Sequence, residues 1–143
     1  MADFRVTVSD SKSKLAYQVA VTGPAANKMI GRKIGDVVSG DIAGMAGYTL
    51  KVTGGTDKDG FAMRGDLPGP ARRKILVAGG VGYVPKAEGV KKRKSMRGQE
   101  ISSDISQINT VIVEYGEKPL GEIFVKKEGE EANKEKERPK SRR

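Results

Sequence analysis

The sequence predicts a mainly β fold: a small barrel-like domain of short strands with Gly/Pro turns, followed by a basic segment, one further strand and a charged tail. Three observations carry this. β-Branched residues fall in short alternating runs and not at helical spacing. The 143 residues include 19 glycines and 6 prolines, several of which close those runs. Residues 126–143 are nearly all charged and hold no large apolar side chain. A chain of this length buries roughly two-thirds of its unfolded surface, enough for a core. The expected organisation is one β-rich domain over 1–125, including the basic segment 72–97, and a charged tail over 126–143 that is disordered alone and can order on a partner.

Each element has its own signal. Phe4, Val6 and Val8 alternate with polar neighbours, the mark of a half-buried strand. Polar residues from Ser9 to Lys14 predict a turn, and Tyr17, Val19 and Val21 the second strand of a hairpin. Thr22-Gly23-Pro24 stops that strand, and Ala25 to Ile30 suits a short helical turn cut off at Gly31. Ile34 to Val38 reads as a strand, and Tyr48, Leu50 and Val52 as another that ends at Gly54-Gly55. Ile75 to Ala78 is a short apolar run. Ile108 to Tyr115 is β-branched almost throughout, is closed by Gly116 and Pro119, and is the strongest strand signal in the chain. Strands so rich in Val and Ile present sticky edges, which closure into a barrel removes. In the tail, Glu131/Glu135 and Lys136/Lys140 repel at helical spacing while Glu130/Lys134 attract, and no apolar stripe would dock a helix.

Composition removes several function classes. Without Cys there is neither a disulfide framework nor a thiolate metal site, which fits a reducing cytoplasm. Without His the commonest general base and metal ligand are missing. No run approaches the roughly 18 apolar residues of a membrane span. Asp3 and Arg5 interrupt the start, so no signal peptide is predicted. No cofactor is expected.

Charge is concentrated. From Arg72 to Arg97 stand Arg72, Arg73, Lys74, Lys86, Lys91, Lys92, Arg93, Lys94 and Arg97 against the single acid Glu88, so this window carries +8 of the formal +9. Such a run repels itself unless a polyanion lies against it. Lys and Arg in this density neutralise phosphates and release counterions. Tyr83 offers a ring for stacking on an unpaired base. Gly79, Gly80, Gly82 and Gly89 let backbone approach closely. The bland alternative, a solvated loop or a localisation-type tetrapeptide at Lys91 to Lys94, accounts for four residues but not for the whole window.

Thr53-Gly54-Gly55-Thr56-Asp57-Lys58-Asp59-Gly60-Phe61-Ala62-Met63 invites three readings that fail. A P-loop needs Lys and Ser/Thr where Phe61 and Ala62 stand. A calcium loop needs a further ligand at Phe61 and a bidentate Glu. Gly80-Val81-Gly82 meets Pro85 where a dinucleotide fingerprint needs its third Gly. A tight turn fits better, with glycines at positive φ, Asp57 and Asp59 bonding their own backbone, and Phe61 and Met63 returning to the core. Asp36, Asp41, Asp57, Asp59 and Asp66 all neighbour turn residues and read as solvated, not as catalytic carboxylates. A metal-dependent enzyme using Asp57 and Asp59 is therefore disfavoured. Ser95, among bases, is a candidate modification site, where a phosphate would cancel about two charges.

The stretch Val52 to Met63 closely resembles the signature of the archaeal and eukaryotic small-subunit ribosomal protein family written S-six-e. The resemblance continues through Arg73-Lys74-Ile75-Leu76-Val77 and Gly82-Tyr83. Arg93-Lys94-Ser95-Met96-Arg97-Gly98 is similar to the family's basic RKSVRG-type element. Ile108-Asn109-Thr110-Val111-Ile112-Val113 with Gly116-Glu117-Lys118 resembles its LNLVIVKKGEK-type strand. The motifs stand in order over Val52 to Pro119. Ala62 replaces a frequent Pro. The short tail, with only Ser141 in place of a phosphorylated serine cluster, resembles the archaeal form and carries over no phosphorylation signalling.

The resemblance implies a structural constituent of the small ribosomal subunit in the cytoplasm, not an enzyme. It would be seated on ribosomal RNA among neighbouring ribosomal proteins, with no membrane and no small-molecule substrate. Recognition would be mostly of shape and phosphates. The RNA-binding residues are expected to be Arg64, Arg72, Arg73, Lys74, Tyr83, Lys86, Lys91, Lys92, Arg93, Lys94 and Arg97. The alternative is a free RNA-binding regulator or RNA chaperone of barrel type.

Overall fold

The computed structural model describes residues 2–124; the tail expected at 126–143 lies outside the described residues. Alternation produces the first hairpin. In β1 (Phe4–Asp10) the even positions are buried, and β1 pairs antiparallel with β2 (Leu15–Val21) from Phe4↔Val21 to Asp10↔Leu15. Residues 11–14 form the turn, closed by Asp10, whose carboxylate accepts from the Lys12 amide (2.9 Å), Ser13 Oγ (2.6 Å) and Tyr115 Oη (2.6 Å). A short helix α1 (Gly23–Asn27) forms two residues earlier than the turn expected at Ala25 to Ile30, with Pro24 in its first turn. β3 is only Val37–Ser39, later and shorter than the run from Ile34 suggested.

The next strand does not stop at Gly54-Gly55. β4 runs from Thr49 to Asp57, with a register shift between Val52 and Gly54 against its partner. Neither Gly54 nor Gly55 has positive φ; of this stretch's glycines only Gly60 does, at 88° in the turn after Asp57. Gly55 is needed for a different reason. A Cβ there would lie 2.5 Å from the Gln107 carbonyl oxygen and 2.9 Å from Met63 Sδ, so two strands and a core side chain converge where only hydrogen fits.

The strongest strand signal occupies the centre. β7 (Ile105–Glu114) pairs parallel with β1 and antiparallel with β4, giving the order β2-β1-β7-β4-β3. One face of this sheet is buried: Phe4, Val6, Val8, Val19, Val21, Leu50, Val52, Ile108 and Ile112. It is closed by Met29, Met45, Ile101 and Ile105 and by a helical turn at 120–124, whose Phe124 ring stacks on Tyr17 at 4.2 Å. The mainly β class is as expected, but the sheet is open and not a closed barrel. The physical reason is that helices and loops cover its apolar face, so the sheet has no need to roll onto itself.

The basic segment is itself a strand, which the sequence reading did not anticipate. β5 (Arg72–Val77) and β6 (Lys92–Arg97) form a separate two-stranded antiparallel ribbon, with residues 78–91 as its loop. This arm carries the candidate site.

Candidate nucleic-acid interface

Register sorts the arm's side chains. Arg72 faces Arg97, Lys74 faces Ser95 and Leu76 faces Arg93 on one side; Arg73/Met96, Ile75/Lys94 and Val77/Lys92 occupy the other. The second side closes a small core of Val77, Met96 and Tyr83, with Ile75 and Leu67 packed against it. The first has no such cover, and Leu76 is 62% exposed there.

The arm is tied to the main sheet at its root. The Arg97 amide donates to the Ala62 carbonyl (2.9 Å), the Arg64 amide to the Arg97 carbonyl (3.0 Å), and the Gly98 amide to the Ala71 carbonyl (3.1 Å). Arg72 and Arg97 sit directly opposite, a like-charge pairing that destabilises a ribbon when nothing neutralises it. Asp57 lies between them. Its Oδ2 accepts from Arg72 Nη2 at 2.6 Å and from Arg97 Nη1 at 2.9 Å. Arg72 Nη2 also reaches Asp59 Oδ2 at 2.6 Å, and the guanidinium stacks over Phe61 with Cζ 4.3 Å from the ring centroid. Arg97 Nη2 completes the network on Ser102 Oγ (2.8 Å) and Asp104 Oδ2 (2.9 Å).

Burial pushes the Asp57 carboxyl up, but the Arg72 hydrogen bond, the Lys58 amide and the charges of Arg97 and Arg72 outweigh it and hold it below the ordinary carboxylate range. The Asp57 and Asp59 hydrogen bonds raise Arg72 in turn. Asp57 is 3% exposed, so the reading of it as a solvated turn residue is corrected: it is the buried anchor of the arm. Arg72 stands between its carboxylate and that of Asp59, where a metal ion shared by the two would have to sit.

The expected RNA-binding residues therefore fall into groups. Arg73, Lys74, Lys86, Lys91, Lys92 and Arg93 are exposed, and Lys94 is half-buried over the Tyr83 ring, 5.4 Å from its centroid. Among the described residues none of these seven makes an ion pair. Arg72 and Arg97 are held by carboxylates at the root. Arg64 is half-buried and paired with Asp66 at 2.7 Å. Tyr83 is 9% exposed and lines a groove of about 590 Å³ together with Val84, Val90, Lys86, Lys92 and Lys94.

Asp57, Phe61, Ser102 and Asp104 were not singled out for this role. The alternation of Leu50 and Val52 would turn Asp57 outward; only the register shift in β4 brings Gly55 and Asp57 to the buried side, so no signal in the sequence marked Asp57 as an acid at a core position.

Comparison with known proteins shows the family of the chain. The family model described as Ribosomal protein S6e matches residues 4–125. A small ribosomal subunit protein eS6 from Archaeoglobus fulgidus is 58% identical over 127 residues, 88% of this chain and 98% of that protein. Proteins of the same name from Methanocella arvoryzae and Methanoculleus marisnigri are 54% and 51% identical, covering 92% and 87% of this chain and 92% and 94% of their own length.

Proposed function

This chain belongs to the ribosomal protein S6e family, and we propose that it is a structural constituent of the small ribosomal subunit, held on ribosomal RNA by the β5–β6 arm. The observation that carries this is the set of seven cations on and around one ribbon that make no ion pair among the described residues. Like charges so close together are tolerated where phosphates neutralise them. Arg73, Lys74, Lys86, Lys91, Lys92, Arg93 and Lys94 make the phosphate contacts. Arg64, Arg72 and Arg97 fix the arm's direction from its root, and Tyr83 shapes the groove behind it. The role is assembly and support, not catalysis, within the cytoplasmic ribosome and beside other ribosomal proteins. Residues 1–125 form the RNA-binding domain, and the tail at 126–143 follows the RNA after docking. No helix among the described residues is long and apolar enough to cross a membrane.

The test is sedimentation of a native lysate at low and high salt, comparing the natural chain with a variant carrying Lys74→Glu, Lys92→Glu and Arg93→Glu. These three side chains are exposed, so the fold should survive by circular dichroism. The natural chain is expected to travel with small subunits at both salt concentrations, and the variant to move to light fractions. Co-sedimentation of the variant in high salt would show that the arm is not the attachment. A natural chain found only in light fractions would favour the free RNA-binding regulator.

A further inference from the structure

The arm exposes apolar surface where its charge is densest. Val84 is 86% exposed, Val81 62% and Val90 43%, although all lie in or beside the loop joining two cationic strands. A surface that only met phosphates would have no use for them. Val84 and Val90 line one groove with Tyr83, and Lys86, Lys92 and Lys94 line the same groove. Its volume of about 590 Å³ falls in the range of small-ligand sites, about 300–1,000 Å³.

Local backbone shapes the lining. Gly80 and Gly82 have φ of 103° and 83°, and the Tyr83 amide donates to the Gly80 carbonyl at 3.2 Å, which turns the chain and sets the Tyr83 ring against Val77 and Met96. The groove's lining thus combines apolar side chains with three ammonium groups. A single unstacked nucleotide has that combination, an apolar base attached to a phosphate.

We propose that this groove captures one unpaired RNA base, the base lying between Val84 and Val90 over Tyr83 and the flanking phosphates on Lys86, Lys92 and Lys94. The inference rests on the RNA-binding reading above and adds a site for a bulged or loop nucleotide. Charge favours RNA over a protein segment: Glu88 is the only acid between Arg72 and Arg97, and none of the three groove lysines has an ion-pair partner among the described residues.

The experiment uses the full chain and two synthetic RNA hairpins that differ only at one bulged position, one with a base and one abasic. The expected result is tighter binding to the base-containing RNA by about tenfold, the scale of one stacked base. The double variant Val84→Ser with Val90→Ser should abolish that difference while binding the abasic RNA as the natural chain does. Val84→Leu should retain it. Equal affinity of the natural chain for both RNAs overturns the base site and leaves RNA binding by the arm standing. Failure to bind either RNA at low salt overturns both readings. In assembled subunits, a photo-crosslinker at position 84 is expected to join RNA; a crosslink only to protein would assign the groove to a neighbouring chain and overturn the proposal.

Discussion

Asp57 has to neutralise two arginines that the ribbon places face to face, and its burial sets how much its loss would cost. Removing one partner of a buried pair strands the other charge, at roughly 3–5 kcal/mol. Arg97 would keep Asp104, so Asp57→Ala should destabilise by about 3 kcal/mol, near the lower end of that range. Asp59→Ala breaks a pair whose carboxylate is 65% exposed, and should cost no more than about 1 kcal/mol. Urea unfolding of both variants measures the difference; equal losses would mean that Asp57 does not anchor the arm. Asp10 makes a pH prediction. Hydrogen bonds from Ser13 and then Tyr115 lower its pKa to about 2. A folded value below the unfolded one means that the native state binds fewer protons. Asp10 therefore contributes its full stabilisation above the ordinary carboxylate pKa and loses it as pH falls toward about 2. Asp10→Asn should be less stable than the natural chain near neutrality and show a shallower loss of stability on acidification. Asp57, also lowered, adds to the same acid limb and remains in the Asp10 variant.

At the scale of elements, β4 makes the sharpest prediction because its adjacent glycines differ in what surrounds them. Gly54 has open space where a Cβ would go, while Gly55 meets a backbone carbonyl and Met63. Gly54→Ala should be near neutral. Gly55→Ala forces β4 from β7 or displaces Met63, at about 1–3 kcal/mol. Thermal unfolding of the two single variants separates them, and a Gly55 variant as stable as the Gly54 one would refute the close approach. The same strand shows what the sequence could tell. Leu50 and Val52 marked its core face, but the shift before Gly54 was invisible, because it depends on a partner more than fifty residues away. β7 was legible because Ile108 to Tyr115 is β-branched almost throughout and is closed by Gly116 and Pro119, although only the fold shows that Ile108, Thr110 and Ile112 are its buried positions. β6 was not. Its one fully buried apolar side chain, Met96, is surrounded by cations whose charge masks the period-two signal.

For the whole molecule, charge was legible as a count but its division was not. Nine bases between Arg72 and Arg97 are visible in the chain, and only the fold reveals that Arg72 and Arg97 spend their charge on Asp57, Asp59 and Asp104. The barrel-like expectation failed at closure for a similar reason: strand signals do not specify what covers the apolar face, and here α1 and the segments around Ile101 and Phe124 cover it. The division of charge sets the salt dependence of RNA binding. Each cation that neutralises a phosphate releases counterions and steepens the fall of log K with log salt by somewhat less than one. Lys92→Gln with Arg93→Gln removes two cations that make no ion pair among the described residues, so the slope should become shallower by about 1.4–1.8. Arg64→Gln removes a charge already paired with Asp66, and should leave the slope nearly unchanged while lowering stability slightly. Filter binding of one RNA across a salt series decides between the two classes. If Arg64→Gln flattened the slope as much per charge as Lys92→Gln with Arg93→Gln, the root arginine would be touching phosphate, and the separation between anchoring and binding cations would be wrong.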